Sequence, residues 1–135
     1  QDISHLGGIL PINSIWRDSL GYSKKAKNEE LIVESKTIDK LVKSLNINKI
    51  DILKIDVQGN ELDVLNGAEK SLSFVDVIMI EINLFDFYGE ISKNWFHINN
   101  ILGGLDFNLW DIAKISKNPK NLRTDWVELV YIKKP

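Results

Sequence analysis

Two apolar runs constrain this chain more than any other feature. Ile50–Val57 reads IDILKIDV and Phe74–Asn83 reads FVDVIMIEIN. Both are rich in β-branched residues, and Asn48 and Gly59 bound the first, so both are expected to be strands. In the first run, Ile50, Ile52, Lys54 and Asp56 share one face, and Asp51, Leu53, Ile55 and Val57 share the other. Apolar residues on both faces point to a parallel sheet with helices over each side. The second run is almost continuously apolar up to Glu81, the pattern of a buried central strand. Between the two, Leu62, Leu65, Ala68 and Leu72 mark one helix face. Asn60 is the expected N-cap, with Asp63 in a capping-box-like position. Strand, helix and strand at this spacing make a right-handed βαβ unit.

The flanking segments extend that unit. Glu30–Ser35, centred on Leu31, Ile32 and Val33, reads as a short strand. Ile38, Leu41, Val42 and Leu45 follow at helical spacing, with Thr37 as N-cap and Asp39 in the first turn. Ile91, Trp95, Ile98 and Leu102 form a third helical stripe, closed by Gly103-Gly104. Phe107–Ile115 and Trp126–Lys133 are two more strands, and the polar link SKNPKNLRTD suits an antiparallel hairpin with a long loop. Residues 1–28 read as loop, with at most a short helix around Ile15–Leu20. The expected order is β-α-β-α-β-α-β-β in a single α/β domain spanning residues 1–135, parallel at first and antiparallel at its end.

Composition narrows the function classes. The 135 residues are 44% apolar and 27% charged, enough for one real core. A formal charge of −2 provides no polybasic field for nucleic acid or an anionic membrane. No run approaches the roughly 18 apolar residues of a membrane span. No basic n-region with an apolar core opens the chain, so a cytoplasmic location is expected. The absence of cysteine excludes disulfides, thiolate metal sites and a cysteine nucleophile. His5 and His97 are too few for a multi-histidine metal site, and no metal is expected.

Ligands of open α/β sheets bind beyond the carboxyl ends of the strands. The first run ends in Lys54-Ile55-Asp56-Val57-Gln58-Gly59-Asn60-Glu61 and the second in Met79-Ile80-Glu81-Ile82-Asn83. If these strands are neighbours, Asp56, Glu61 and Glu81 meet on one rim. Carboxylates so placed shift each other's proton affinity and act as bases or hold a cation. Strand-end acids also simply cap helices or face water, and Glu61 lies where a helix dipole favours negative charge. Lys54, inside an apolar strand, needs a carboxylate partner or a route to the sheet edge. His97 lies beside its helical stripe, as a surface group or a general base. Trp16, Trp95, Trp110 and Trp126 are expected in core or hairpin packing, or lining a substrate slot.

One composite pattern is specific. Thr37-Ile38-Asp39 opens a helix. Lys54-Ile55-Asp56-Val57-Gln58-Gly59 ends a strand, with Glu61, Leu65 and Gly67-Ala68 after it, and a further strand ends at Glu81. From Leu31 to Ile82 this resembles the FkbM family of S-adenosylmethionine-dependent methyltransferases. The resemblance implies a class I, Rossmann-like methyltransferase fold and methyl transfer to a hydroxyl on a sugar, glycolipid or natural product. It implies Asp56 and Glu81 as catalytic carboxylates at the ends of strands four and five, beside the methyl-transfer site, with Asp56 the candidate base or acceptor-orienting group. It implies a substrate surface drawn from Gln58, Glu61, Asn83 and His97, with a small molecule or glycan as acceptor.

This sequence departs from the family pattern twice. A glutamine, Gln58, stands where the family has glutamate, and an amide neither takes a proton nor balances a cation. The glycine-rich turn and following acid that hold the cofactor are not present, and no two glycines are spaced G-x-G. The expectation is therefore the C-terminal portion of a methyltransferase sheet without its first, cofactor-binding strands. No residue is assigned to S-adenosylmethionine, and the chain alone is expected to be inactive. Such a sheet leaves Ile50–Val57 as an apolar edge. Either the Leu31–Ser35 strand covers it, or a second copy of the chain pairs with it as a homodimer. Two other readings stand beside this one: a noncatalytic α/β module that associates through that edge, and a divalent-metal hydrolase using Asp56, Glu61 and Glu81.

Overall fold

Helix α1, Ile38–Ser44, starts where the sequence places it. Thr37 is extended, and its hydroxyl accepts from the Lys40 backbone N–H at 3.3 Å. The computed structural model describes residues 32–85 and 95–134. Within them β1 is Ile50–Ile55, α2 is Glu61–Asn66, β2 is Val75–Asn83, α3 is Trp95–Gly104, β3 is Phe107–Lys117 and β4 is Thr124–Lys133. A single 3-10 turn at Ser71–Phe74 leads into β2. The expected loop and short helix before residue 29 lie outside the described residues, as do Leu31, Ile91 and Trp16.

The four strands form one sheet in the order β1-β2-β4-β3. β1 and β2 run parallel, with Ile52 beside Val77 and Ile55 beside Ile80. β4 is antiparallel to both its neighbours, and β3–β4 is the expected hairpin. The architecture is thus mixed α/β around one sheet.

The core follows from strand alternation. Ile78, Ile80 and Ile82 of β2 lie in one buried cluster with Ile55 of β1 and Val127, Leu129 and Tyr131 of β4. Leu65 of α2 and Ile98 and Leu102 of α3 join it, each at most 1% exposed. Burying a side chain of this size contributes roughly 1.5–3 kcal/mol. The two-sided helical cover expected from β1 is not what the described residues show. Both helices of the cluster pack on its one face, and on the other Ile52 is 60% exposed.

Three further expectations are corrected. Ile32–Lys36 is not strand, and Ile32 and Val33 are exposed. Two adjacent aliphatics provide β-propensity but no packing partner to hold it. Asn60 does not cap α2: its backbone is not extended, and its side chain makes no cap hydrogen bond. Gly103-Gly104 are the last two residues of α3, where the sequence closes it, and Asp106, at φ 63°, makes the left-handed turn that follows. Trp110 is 73% exposed and packs in no core, whereas Trp126 is half-buried on the hairpin.

The segment around Thr37 is tied to the far end of α2. The Asp39 backbone N–H donates to the Gly67 carbonyl at 3.0 Å. The Asp39 carboxylate accepts from the Ser71 hydroxyl at 2.6 Å and from the backbone N–H groups of Ser71 and Lys70 at 2.8 and 3.1 Å. These bonds, the hydroxyl bond above all, hold the Asp39 carboxyl below its usual range. A Cβ on Gly67 would meet the Thr37 Cβ at 3.2 Å, which explains a glycine there. Thr37, Asp39, Gly67 and Ala68 of the sequence pattern therefore serve the scaffold: they dock α1 against the α2–β2 connection.

Candidate active site

Because β1 and β2 are parallel and adjacent, their carboxyl ends lie side by side. Asp56 follows the last residue of β1, and Glu81 lies near the end of β2. The chain then turns sharply through Gln58 and Gly59, both left-handed at φ 56° and 104°. The glycine adopts that conformation freely, but a glutamine there costs on the order of 1 kcal/mol. In that conformation the Gln58 side-chain amide donates to Asp56 Oδ1 at 2.9 Å and lies 3.5 Å from Glu81 Oε1. Gln58 thus spans the two carboxylates that the sequence nominated.

Glu61, in the first turn of α2, is buried, and its Oε1 accepts from the Gly59 backbone N–H at 2.9 Å. It closes the turn that Asn60 was expected to cap and adds negative charge beneath the rim. Glu81 feels the result. Burial first, then the charges of Asp56 and Glu61, push its carboxyl up to about 7. Lys54 opposes this weakly, because its ammonium is committed elsewhere. It pairs with Glu128 on β4 and lies 4.0 Å from Asp56 Oδ2. Hydrogen bonding to Glu128 raises the Lys54 ammonium above its usual range. This is the carboxylate partner that an intra-strand lysine requires.

Asn83 ends β2 on the same face as Glu81, and it is 8% exposed. Its Nδ2 is buried and has no hydrogen-bond partner among the described residues. Across the sheet, Glu81 faces Glu128 and Asn83 faces Trp126. Lys114 lies over the Trp126 ring at 4.9 Å. The backbone N–H groups of Leu84 and Phe85 both donate to the Asp125 carbonyl, which pins the end of β2 to β4. Arg123 reinforces that corner, bound to Asp125 Oδ1 at 2.8 Å and stacked 3.5 Å from the Phe85 ring.

Asp56, Gln58, Glu61, Glu81 and Asn83 therefore share one end of the sheet. His97 does not join them. It is exposed on α3, whose buried residues pack into the core face, and it makes no hydrogen bond to these groups among the described residues. Sequence reasoning missed Glu128, whose place beside Glu81 depends on a strand pairing between distant segments. Among the described residues, no cluster of carboxylates and imidazoles has the arrangement of a metal site, and no helix is long and apolar enough to cross a membrane.

A rim that holds a half-buried carboxyl able to ionise near neutrality is equipped to take a proton from a bound hydroxyl. The chain is similar to the hexuronic acid methyltransferase AglP of Haloferax volcanii, 32% identical over 63 residues. That alignment covers 47% of this chain and 26% of the relative, so the chain spans about a quarter of that protein's length. No solved structure matches. The model of the methyltransferase FkbM domain matches residues 9–109, a stretch that holds β1, β2 and the whole carboxylate rim. This chain belongs to the FkbM methyltransferase family.

Proposed function

We propose that the rim at Asp56 and Glu81 activates a hydroxyl for methylation, on a sugar, glycolipid or natural product. The observation that carries this reading is the meeting of Asp56 and Glu81 at the carboxyl ends of two parallel strands, with the Gln58 amide 2.9 Å from Asp56 Oδ1 and 3.5 Å from Glu81 Oε1. Burial pushes the Glu81 carboxyl up to about 7. A hydroxyl is a poor nucleophile until its proton is withdrawn, and a base that ionises near the working pH does this best. Glu81 takes the proton. Asp56, more exposed and held by Gln58, orients the acceptor. Glu61 fixes the turn that carries Gln58. The relative is named for hexuronic acid, which favours a glycan acceptor.

S-adenosylmethionine supplies an activated methyl group on a cationic sulfur. Asp56, Glu61, Glu81 and Glu128 about Lys54 suit a neighbouring positive charge. Residues for the rest of that donor are not assigned on this chain. The sheet order, with β4 between β2 and β3 and antiparallel to both, fits the C-terminal portion of a class I methyltransferase sheet.

The outer edge of β1 has no strand partner among the described residues. A second copy of the chain is the partner proposed for it. Antiparallel pairing centred on Ile52 sets the exposed Ile52 side chains together, and it keeps Lys54 from facing Lys54 and Asp51 from facing Asp51. Sedimentation equilibrium is expected to show a dimer that Ile52→Lys dissociates; a monomer at all concentrations removes this partner.

The test of the main reading is transfer of labelled methyl from S-adenosylmethionine to methyl glucuronoside, alongside calorimetric titration of the donor. Transfer that falls at least 100-fold in Glu81→Gln supports it. Absence of both donor binding and transfer removes autonomous activity from this chain and favours the noncatalytic module, while the family assignment stands.

A further inference from the structure

We propose that Asn83 is a specificity-determining residue, whose side-chain amide reads a second oxygen of the acceptor beside the hydroxyl held at Glu81. The proposal rests on the hydroxyl-activation reading above and adds a substrate class to it: acceptors with neighbouring oxygens, such as a pyranose ring, in preference to isolated alcohols.

The argument begins with an unmet demand. Asn83 is more than nine-tenths buried, and its Nδ2 is closed to solvent without a hydrogen-bond partner among the described residues. Buried donors are nearly always paired, and an unpaired one demands an explanation. No described residue uses this amide. The end of β2 is already pinned by backbone bonds from Leu84 and Phe85 to Asp125, and by Arg123. Its position supplies the explanation. Glu81 and Asn83 are two residues apart on one face of one strand, so their side chains leave the sheet together about 7 Å apart. Once the Asn83 side chain turns outward on binding, a hydrogen bond at each end and a short piece of ring between two oxygens fill that gap. The two groups are also complementary in kind. Glu81 accepts from the hydroxyl to be methylated, whereas the Asn83 amide donates, which suits an oxygen that keeps its proton or has none. The half-buried Trp126 opposite Asn83 supplies an apolar wall on that side. A site built around a buried donor rejects a ligand that lacks the matching acceptor, because binding then leaves the donor unpaired.

The experiment follows the Asn83 side-chain amide and the Asp56 and Glu81 carboxyls of this chain by NMR. The probes are methyl glucuronoside and its monodeoxy analogues. The expected result is that the glycoside shifts both the carboxyl and the Asn83 amide signals. Removal of one particular hydroxyl should weaken binding at least tenfold in the wild type and have little effect in Asn83→Ala. The thermal midpoint of Asn83→Ala should be unchanged or raised, since an unpaired amide contributes no bond to the fold; a lowered midpoint makes Asn83 a structural residue and overturns the proposal. Carboxyl shifts with a silent Asn83, or a deoxy preference kept in Asn83→Ala, overturn it while leaving hydroxyl activation intact. No shift at any of these groups overturns both.

Discussion

The side-chain amide of Gln58 donates to Asp56 Oδ1 at 2.9 Å from a backbone held at φ 56°, so a neutral group in a strained conformation separates two carboxylates. Gln58→Glu restores the residue type of the family pattern and replaces that donor with a third negative charge. Its expected effect is to push the Glu81 carboxyl above about 7, because a like charge disfavours ionisation. A carboxyl carbon NMR titration reads this directly, and a Glu81 midpoint at or below the wild-type value refutes it.

Glu81 also gives the fold a pH signature. Its folded value lies above its unfolded one, so the folded state holds the proton more tightly. Stability is therefore full below the ordinary carboxylate range and declines as pH rises from about 4.5 to about 7. The group is only half-buried, and after discounting for solvent screening the decline is on the order of 1–2 kcal/mol. Urea unfolding across that window is expected to show the slope in the wild type and a flatter profile in Glu81→Gln.

Lys54 balances the rim from the side. Lys54→Met leaves Glu128 beside Glu81 without its ammonium. The expected loss is about 1–2 kcal/mol at pH 7, below that of a fully buried pair because half of the lysine is exposed. The Glu81 carboxyl should rise as well. The double variant Lys54→Met with Glu128→Gln should recover most of the stability, since it removes the orphaned charge.

Asp39 behaves in the opposite sense to Glu81. Its folded value is lowered, so its contribution is present above the ordinary carboxylate range and is lost as pH falls through the folded value. Asp39→Ala breaks the bonds to Ser71 and Lys70 and is expected to cost about 1–3 kcal/mol near neutrality. The gap from wild type should narrow in acid, which chemical denaturation at pH 7 and pH 3 will show.

What was legible in the sequence was local. β1 and β2 declared themselves through apolar density, and Thr37 through its place before a helical stripe. The meeting of Asp56 and Glu81 followed once those strands were taken as parallel neighbours. What was not legible was contact between distant segments. Lys54 finds Glu128 on β4, and Asp39 finds Ser71, through pairings that no periodicity encodes. Asn60 misled because residue type alone favours a cap, whereas the turn through Gln58 and Gly59 handed the closing bond to Glu61. Ile32 and Val33 form no strand because β-propensity needs a neighbouring strand, and Ile32 has none to pack on among the described residues.

The 3.2 Å approach between the Thr37 Cβ and a Cβ built on Gly67 implies a constraint between two positions far apart in sequence. They divide one fixed volume. Substitution to alanine at 67 should cost less when 37 is serine, which keeps the capping hydroxyl and gives up the methyl that lies 3.3 Å from the added Cβ. Sequences that drift at either position should therefore drift at both.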